Sequence, residues 1–212
     1  MIVARRMKRN PVFVDEGDSM KKAMDLLKEH EIRHLPVLKD GEKLVGILSE
    51  RDIKQASPSP ATALEIREIY YLLDKVKVKQ IMTRRPYTVS SSAPIEEAAL
   101  IIREKKIGCL PVVDNGKLVG ILTETDIIDS FIEAMGVSGP GYRIEVALAN
   151  KAGALFEVLK LLKDFEANIV SVATASHEDP ARKVLVLRVE TKNYKVLKAA
   201  MKKAGFDLLS AD

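Results

Sequence analysis

An internal repeat narrows what this chain can fold into more than any other feature of its sequence. Met7, Pro11, Leu35 and Pro36 return 75 positions later as Met82, Pro86, Leu110 and Pro111. After one extra residue in the first copy the interval falls to 74. Leu44-Val45-Gly46-Ile47-Leu48-Ser49 with Asp52 then returns as Leu118-Val119-Gly120-Ile121-Leu122-Thr123 with Asp126. Self-similarity at a fixed interval marks one structural unit built twice. The copies are assigned to residues 1–60 and 80–135, with a linker and connecting helix over 61–79.

Each copy carries the same local grammar. A short strand (Val12 to Val14; Tyr87 to Val89) precedes a helix whose apolar residues recur at helical spacing, Met20, Ala23, Met24 and Leu27 in one and Ile95, Ala98, Ala99 and Ile102 in the other. A strand (His34 to Leu38; Cys109 to Val113), a turn at Asp40-Gly41 or Asn115-Gly116, and another strand (Lys43 to Leu48; Lys117 to Leu122) read as a hairpin. Ser49 and Thr123 then open a second helix, each with an acid three positions on. A Ser-, Pro- and Ala-rich break from Ala56 to Ala63 precedes the connecting helix, Leu64 to Val76. There Tyr70, Tyr71, Leu72 and Leu73 read as packing residues.

Gly136, Gly139, Pro140 and Gly141 fall within six residues and mark a second boundary. Beyond it, over 141–212, the pattern reads strand (Arg143 to Leu148), turn, helix (Ala154 to Phe165), strand (Ile169 to Ala175), strand (Lys183 to Glu190) and a final helix. The chain is read as α+β in fold class.

Composition limits the function classes. The 34 Lys and Arg are interleaved with 30 Asp and Glu, for a net charge of +4, so basic stretches such as Arg5-Arg6-Met7-Lys8-Arg9 read as solvated faces, and no nucleic-acid partner is expected. One cysteine and three histidines leave no disulfide framework and no metal site. No apolar run approaches the ~20 residues of a membrane span, and the chain reads as soluble and cytoplasmic. No nucleophile elbow, Walker loop or HExxH occurs, so no enzyme is indicated.

Leu-Pro-Val, then Gly-Ile-Leu-Ser/Thr, then two residues and Asp, in order and twice, resembles a tandem pair of CBS domains. The remainder resembles an ACT domain of ferredoxin-like fold. The order, with Arg51 to Ser59 closing the first repeat, is similar to the acetoin-utilisation protein family. The resemblance implies a regulatory, cytoplasmic homodimer that senses a ligand through a pseudo-twofold CBS module and signals to an unidentified protein partner. The alternatives are a non-catalytic assembly scaffold and a nucleic-acid binder.

In families with this fold the Asp of the Ser/Thr-x-x-Asp motif holds ribose hydroxyls. The resemblance thus implies Asp126 with Thr123, and Asp52 with Ser49, as two adenine-nucleotide sites for AMP, ADP, ATP or S-adenosylmethionine, each a regulatory ligand and not an obligatory cofactor. A carboxylate can accept from two neighbouring hydroxyls. The same spacing is also that of a helix capping box, and spacing alone fits both readings.

Before Leu-Pro the first copy has Arg33 and His34, whereas the second has Gly108 and Cys109. In related pairs, basic residues here reach across the pseudo-twofold to the phosphates of the other repeat's nucleotide. Carried over, Arg33 and His34 complete the Asp126 site, and the Asp52 site lacks that charge; a solvated cation and an interface histidine are the plainer readings. At roughly 1.5–3 kcal/mol per charge-assisted hydrogen bond, two such contacts separate the sites widely in affinity. The resemblance also implies Thr83, Arg84, Pro86 and Tyr87 at the main site and Asn10 and Pro11 at the second, because residues before the first strand of each repeat line these clefts in the family. In the ACT-like part, Asn150, Gly153, Ala154 and Leu155 at a strand-to-helix turn, with Asn168, are implied as an amino-acid site at a dimer interface; a routine turn is the alternative.

Overall fold

The computed structural model describes residues 1–57, 71 and 73–211. Most of the expected break and connecting helix, with Tyr70 and Leu72, lies outside the described residues; Leu73 is buried and Tyr71 is exposed. The chain divides into two compact units, Met1–Ile128 and Asp129–Asp212.

In the first unit a 3-10 turn (Val3–Arg5) and β1 (Lys8–Arg9) lead into β2 (Val14–Asp15), α1 (Met20–Glu29), β3 (His34–Lys39), β4 (Lys43–Ser49) and α2 (Glu50–Ala56). The second copy supplies α3 (Val78–Ile81), β5 (Thr83–Arg84), α4 (Ile95–Lys105), β6 (Cys109–Asp114), β7 (Lys117–Thr123) and α5 (Glu124–Ala134), which runs across the division between units. The strand expected at Tyr87 to Val89 shrinks to one parallel bridge, Val89 to Val112, because only Val89 finds ladder partners, in Pro111 O and Val113 N.

Helix α1 forms because Ser19 Oγ accepts from the Lys22 N–H at its start and because Met20, Ala23 and Leu27 align on one buried face. Each large side chain so buried contributes about 1.5–3 kcal/mol. In α4 the same face is Ile95, Ala98 and Ile102. The hairpin turns place Asp40 and Gly41, and Asn115 and Gly116, at positive φ, as a turn matching strand twist requires. Glu42 is the extra residue in the first copy: Lys39 pairs with Lys43 across three residues, while Asp114 pairs with Lys117 across two.

The two copies exchange their leading strands. β1 pairs with β7, so the first strand of the chain completes the second copy's sheet, β1-β7-β6. β5 pairs with β4 and completes the first copy's sheet, β2-β3-β4-β5. The cores follow: Val3 and Met7 pack with Val89, Ile95, Leu110 and Leu122, whereas Leu73 and Val78 pack with Met20, Leu35 and Leu48.

In the second unit β8 (Tyr142–Ala149), α6 (Ala154–Asp164), β9 (Asn168–Ser176), β10 (Arg182–Glu190), α7 (Tyr194–Lys203) and β11 (Asp207–Ala211) form an antiparallel sheet of order β11-β8-β10-β9. Val158 and Leu162 of α6 and Leu197 and Met201 of α7 bury against Ile144, Val146, Leu185 and Leu187. The strand β11 is an addition to the sequence reading. A register shift between Leu208 and Ser210 breaks the alternation by which a strand is recognised.

Candidate functional site

Both Ser/Thr-x-x-Asp motifs fold identically, because a strand ends where a helix begins. At the end of β4 the Ser49 N–H and Ser49 Oγ–H donate to Asp52 Oδ2 at 2.8 and 2.7 Å, and the Asp52 N–H donates back to Ser49 Oγ at 3.2 Å. At the end of β7 the Thr123 N–H and Oγ1–H donate to Asp126 Oδ2 at 2.7 and 2.6 Å, with the Asp126 N–H returning to Oγ1 at 3.3 Å. The capping box engages only Oδ2 of each half-buried carboxylate. The box thus fixes the orientation of each carboxylate at the start of its helix.

The exchanged strands decide which leader pairs with the strand that ends at each motif. Thr83 and Arg84 were grouped with Asp126; they pair instead with Ile47 and Gly46 of β4, the strand that ends at Ser49, and Pro86 and Tyr87 follow them in sequence. Lys8 and Arg9 pair with Ile121 and Gly120 of β7, so Asn10 and Pro11, grouped with Asp52, follow the leader of the Asp126 strand. The side chain of Arg84 donates to Lys79 O at 3.3 Å, and that of Arg9 to Ala4 O at the same distance, so both guanidiniums close their own leader turns. Asn10 and Arg85, each before a proline, hold φ near +50° at equivalent places. Tyr87 is exposed, with Lys105 Nζ 5.2 Å from its ring centroid.

His34 is where the two repeats meet. The Arg33 and Gly108 carbonyls accept from the Glu50 and Glu124 N–H groups at 3.0 and 3.1 Å, so each residue before the hairpin anchors its own repeat's second helix. The His34 imidazole lies against Gly108, near Glu124. Burial, then the adjacent Arg33, holds its pKa below the ordinary 6.5, while Asp52 and Glu124 oppose. Arg33 is exposed. Glu124 had no part in the sequence reading, where Gly108 counted only as the place of a missing charge; the position of Glu124 directly after Thr123 was the available signal. Burial, with Glu124, pushes the Cys109 thiol up to about 12, which makes it inert packing.

In the second unit the turn between β8 and α6 uses its own groups. Asn150 donates through its N–H to Ala181 O (2.7 Å) and through Nδ2 to Pro180 O (3.3 Å), while the Ala154 N–H donates to Lys151 O and the Phe156 N–H to Gly153 O. Gly153 stands at φ 82° and Leu155 is exposed. Asn168 does not join them. It pairs with Glu190 while Ala149 pairs with Arg182, which puts it at the other end of β10, about 25 Å along the strand. Among the described residues no group of three or more His, Cys, Asp or Glu could hold a metal, and no helix is long and apolar enough to cross a membrane.

Residues 3–59 and 78–133 match the CBS domain family, and residues 140–211 match the TTHA0829-like ACT domain. The CBS domain pair of protein MJ0100, solved with 5′-methylthioadenosine and S-adenosyl-L-methionine, is 29% identical at a TM-score of 0.52, covering 62% of this chain and 95% of that one. A Vibrio cholerae protein assigned to acetoin utilization is 29% identical at a TM-score of 0.54, covering 65% and 95%. The protein CBSX2, solved with AMP, is 32% identical at 0.51, covering 62% and 96%.

Proposed function

We propose that this chain, which belongs to the CBS-domain family and carries a C-terminal ACT domain, senses an adenine nucleotide in the cleft of its repeats and reports it through its oligomer to a protein partner. The observation that carries this is the pair of carboxylates, Asp52 and Asp126, each oriented by its own hydroxyl residue at matching strand ends. Related pairs holding AMP and S-adenosyl-L-methionine support the ligand class.

The two clefts are unequal in this reading. The Asp126 site comprises Thr123, Asp126, the leader Asn10 and Pro11, and Arg33 and His34; the Asp52 site comprises Ser49, Asp52, Thr83, Arg84, Pro86 and Tyr87. Only the first adds a histidine lying against its own repeat's Gly108. Ligand acts by favouring one arrangement of the protein over another. For the ACT domain, assigned to residues 141–212, we carry forward an amino acid at the turn of Asn150, Gly153, Ala154 and Leu155, without Asn168. A homodimer is supported by β9, an edge strand of its sheet with Ile169, Val170 and Val172 exposed. The lone cysteine fits a reducing cytoplasm, and no catalytic role is assigned.

Calorimetric titration with AMP, ADP, ATP and S-adenosylmethionine tests the reading. Binding near micromolar, about 8 kcal/mol, weakened by Asp126→Ala and by His34→Gln but not by Asp52→Ala, is expected. No heat from any of the four would leave the assembly-scaffold reading standing in its place.

A further inference from the structure

We propose that Gly108 is a positioning residue for the nucleotide site: the missing side chain at 108 is what lets the His34 imidazole lie from the first repeat onto the second. The inference deepens the nucleotide-sensor reading and rests on it.

Residues 33 and 108 hold the same place in the two copies and do the same backbone work, each carbonyl accepting from the first N–H of a second helix. Their side chains share nothing, arginine in one and hydrogen in the other. A Cβ at Gly108 would stand 2.9 Å from His34 Nε2, closer than real Cβ atoms approach, and a tight 3.0 Å from His34 Cε1. Its next neighbour, Glu124 Oε2, would be at an ordinary 4.0 Å, and no backbone atom lies within that range. Gly108 is also absent from the residues at positive φ. Glycine is therefore needed here for space, and the space is filled by one imidazole.

The groups that face this imidazole are Arg33 beside it, Asp52 from α2 and Glu124 from α5. Lying on Gly108 of the second repeat, the ring is placed to meet an anionic phosphate that enters there. An alanine at 108 turns the ring out of that place and leaves the strands, the capping boxes and both carboxylates as they are. Because an imidazole can rotate where a backbone cannot, the substitution separates the position of His34 from the fold.

The test has two arms. In the free protein, the proton NMR titration of His34, assigned with His34→Gln, is compared between wild type and Gly108→Ala. The expected result is a rise toward the ordinary value, with His30 and His177 unmoved. In the second arm, AMP affinity falls about tenfold in Gly108→Ala, the worth of one charge-assisted hydrogen bond, and Gly108→Ala/His34→Gln is no weaker than either single variant. An unmoved His34 titration while wild type binds AMP overturns the role of Gly108 alone, as do additive losses. A wild type that binds no AMP overturns the sensor reading and the assignment together. If Gly108→Ala unfolds, recovery of thermal stability in Gly108→Ala/His34→Ala supports the contact, and failure to recover overturns it.

Discussion

Arg9 lies opposite Gly120 in antiparallel register, so the first strand of the chain finishes the sheet of its second copy. Arg84 opposite Gly46 returns the exchange. Each sheet thus draws a leading strand from the other copy's sequence, and neither copy closes its sheet alone.

The close approach at these glycines gives the first prediction. A Cβ at Gly120 would meet Met7 Sδ at 2.6 Å and Lys8 O at 3.0 Å. The sulfur can move and the backbone oxygen cannot, so Gly120→Ala should cost about 1–3 kcal/mol by overpacking. Urea unfolding measures it, and a midpoint equal to wild type would contradict the exchanged pairing.

Capping gives the second. Ser49→Ala and Thr123→Ala each remove a hydroxyl that both donates and accepts within its box. Each should lose about 0.5–2 kcal/mol of stability, and by similar amounts, since the geometries match. Thermal denaturation without nucleotide is the measurement; a loss at one site alone would show that the boxes are not equivalent.

The histidine at the repeat junction makes stability depend on pH. Burial holds the folded pKa of His34 below 6.5, so the folded state binds this proton less readily than the unfolded chain. The sign follows: the contribution is full above the unfolded value of 6.5 and is lost as pH falls through the lowered folded value. Urea midpoints from about pH 8 to about pH 5, above the carboxylate range, should decline more steeply in wild type than in His34→Gln. Parallel curves would refute it.

Cys109 should be silent toward thiol reagents. With its pKa pushed up to about 12 by burial, almost no thiolate is present near neutrality. Native protein is expected to label only at the rate of unfolding and at once in denaturant; rapid native labelling would mean that β6 opens.

A comparable effect is expected in the second unit. Ser171 is buried and its hydroxyl donates to Met135 O at 2.8 Å. Ser171→Ala leaves that carbonyl without this donor and should cost about 1–3 kcal/mol, read from the denaturation midpoint.

What the sequence determined by itself is what local chemistry encodes. Met20, Ala23 and Leu27 mark a helix because helical spacing puts them on one face. Asn115-Gly116 marks a hairpin because both residues accept positive φ, and Ser49 with Asp52 marks a helix start because the spacing closes a box. Repetition of these signals established two like copies and a separate third part. Tertiary structure alone decided which sheet each two-residue leader completes, since Lys8-Arg9 and Thr83-Arg84 present the same pattern to either sheet. It also decided that Arg84 turns back to Lys79, that Asn168 stands apart from Asn150, and that His34 comes to rest on Gly108. Those outcomes depend on strand pairing and on the space between residues far apart in the chain, and no periodicity in a single sequence carries either.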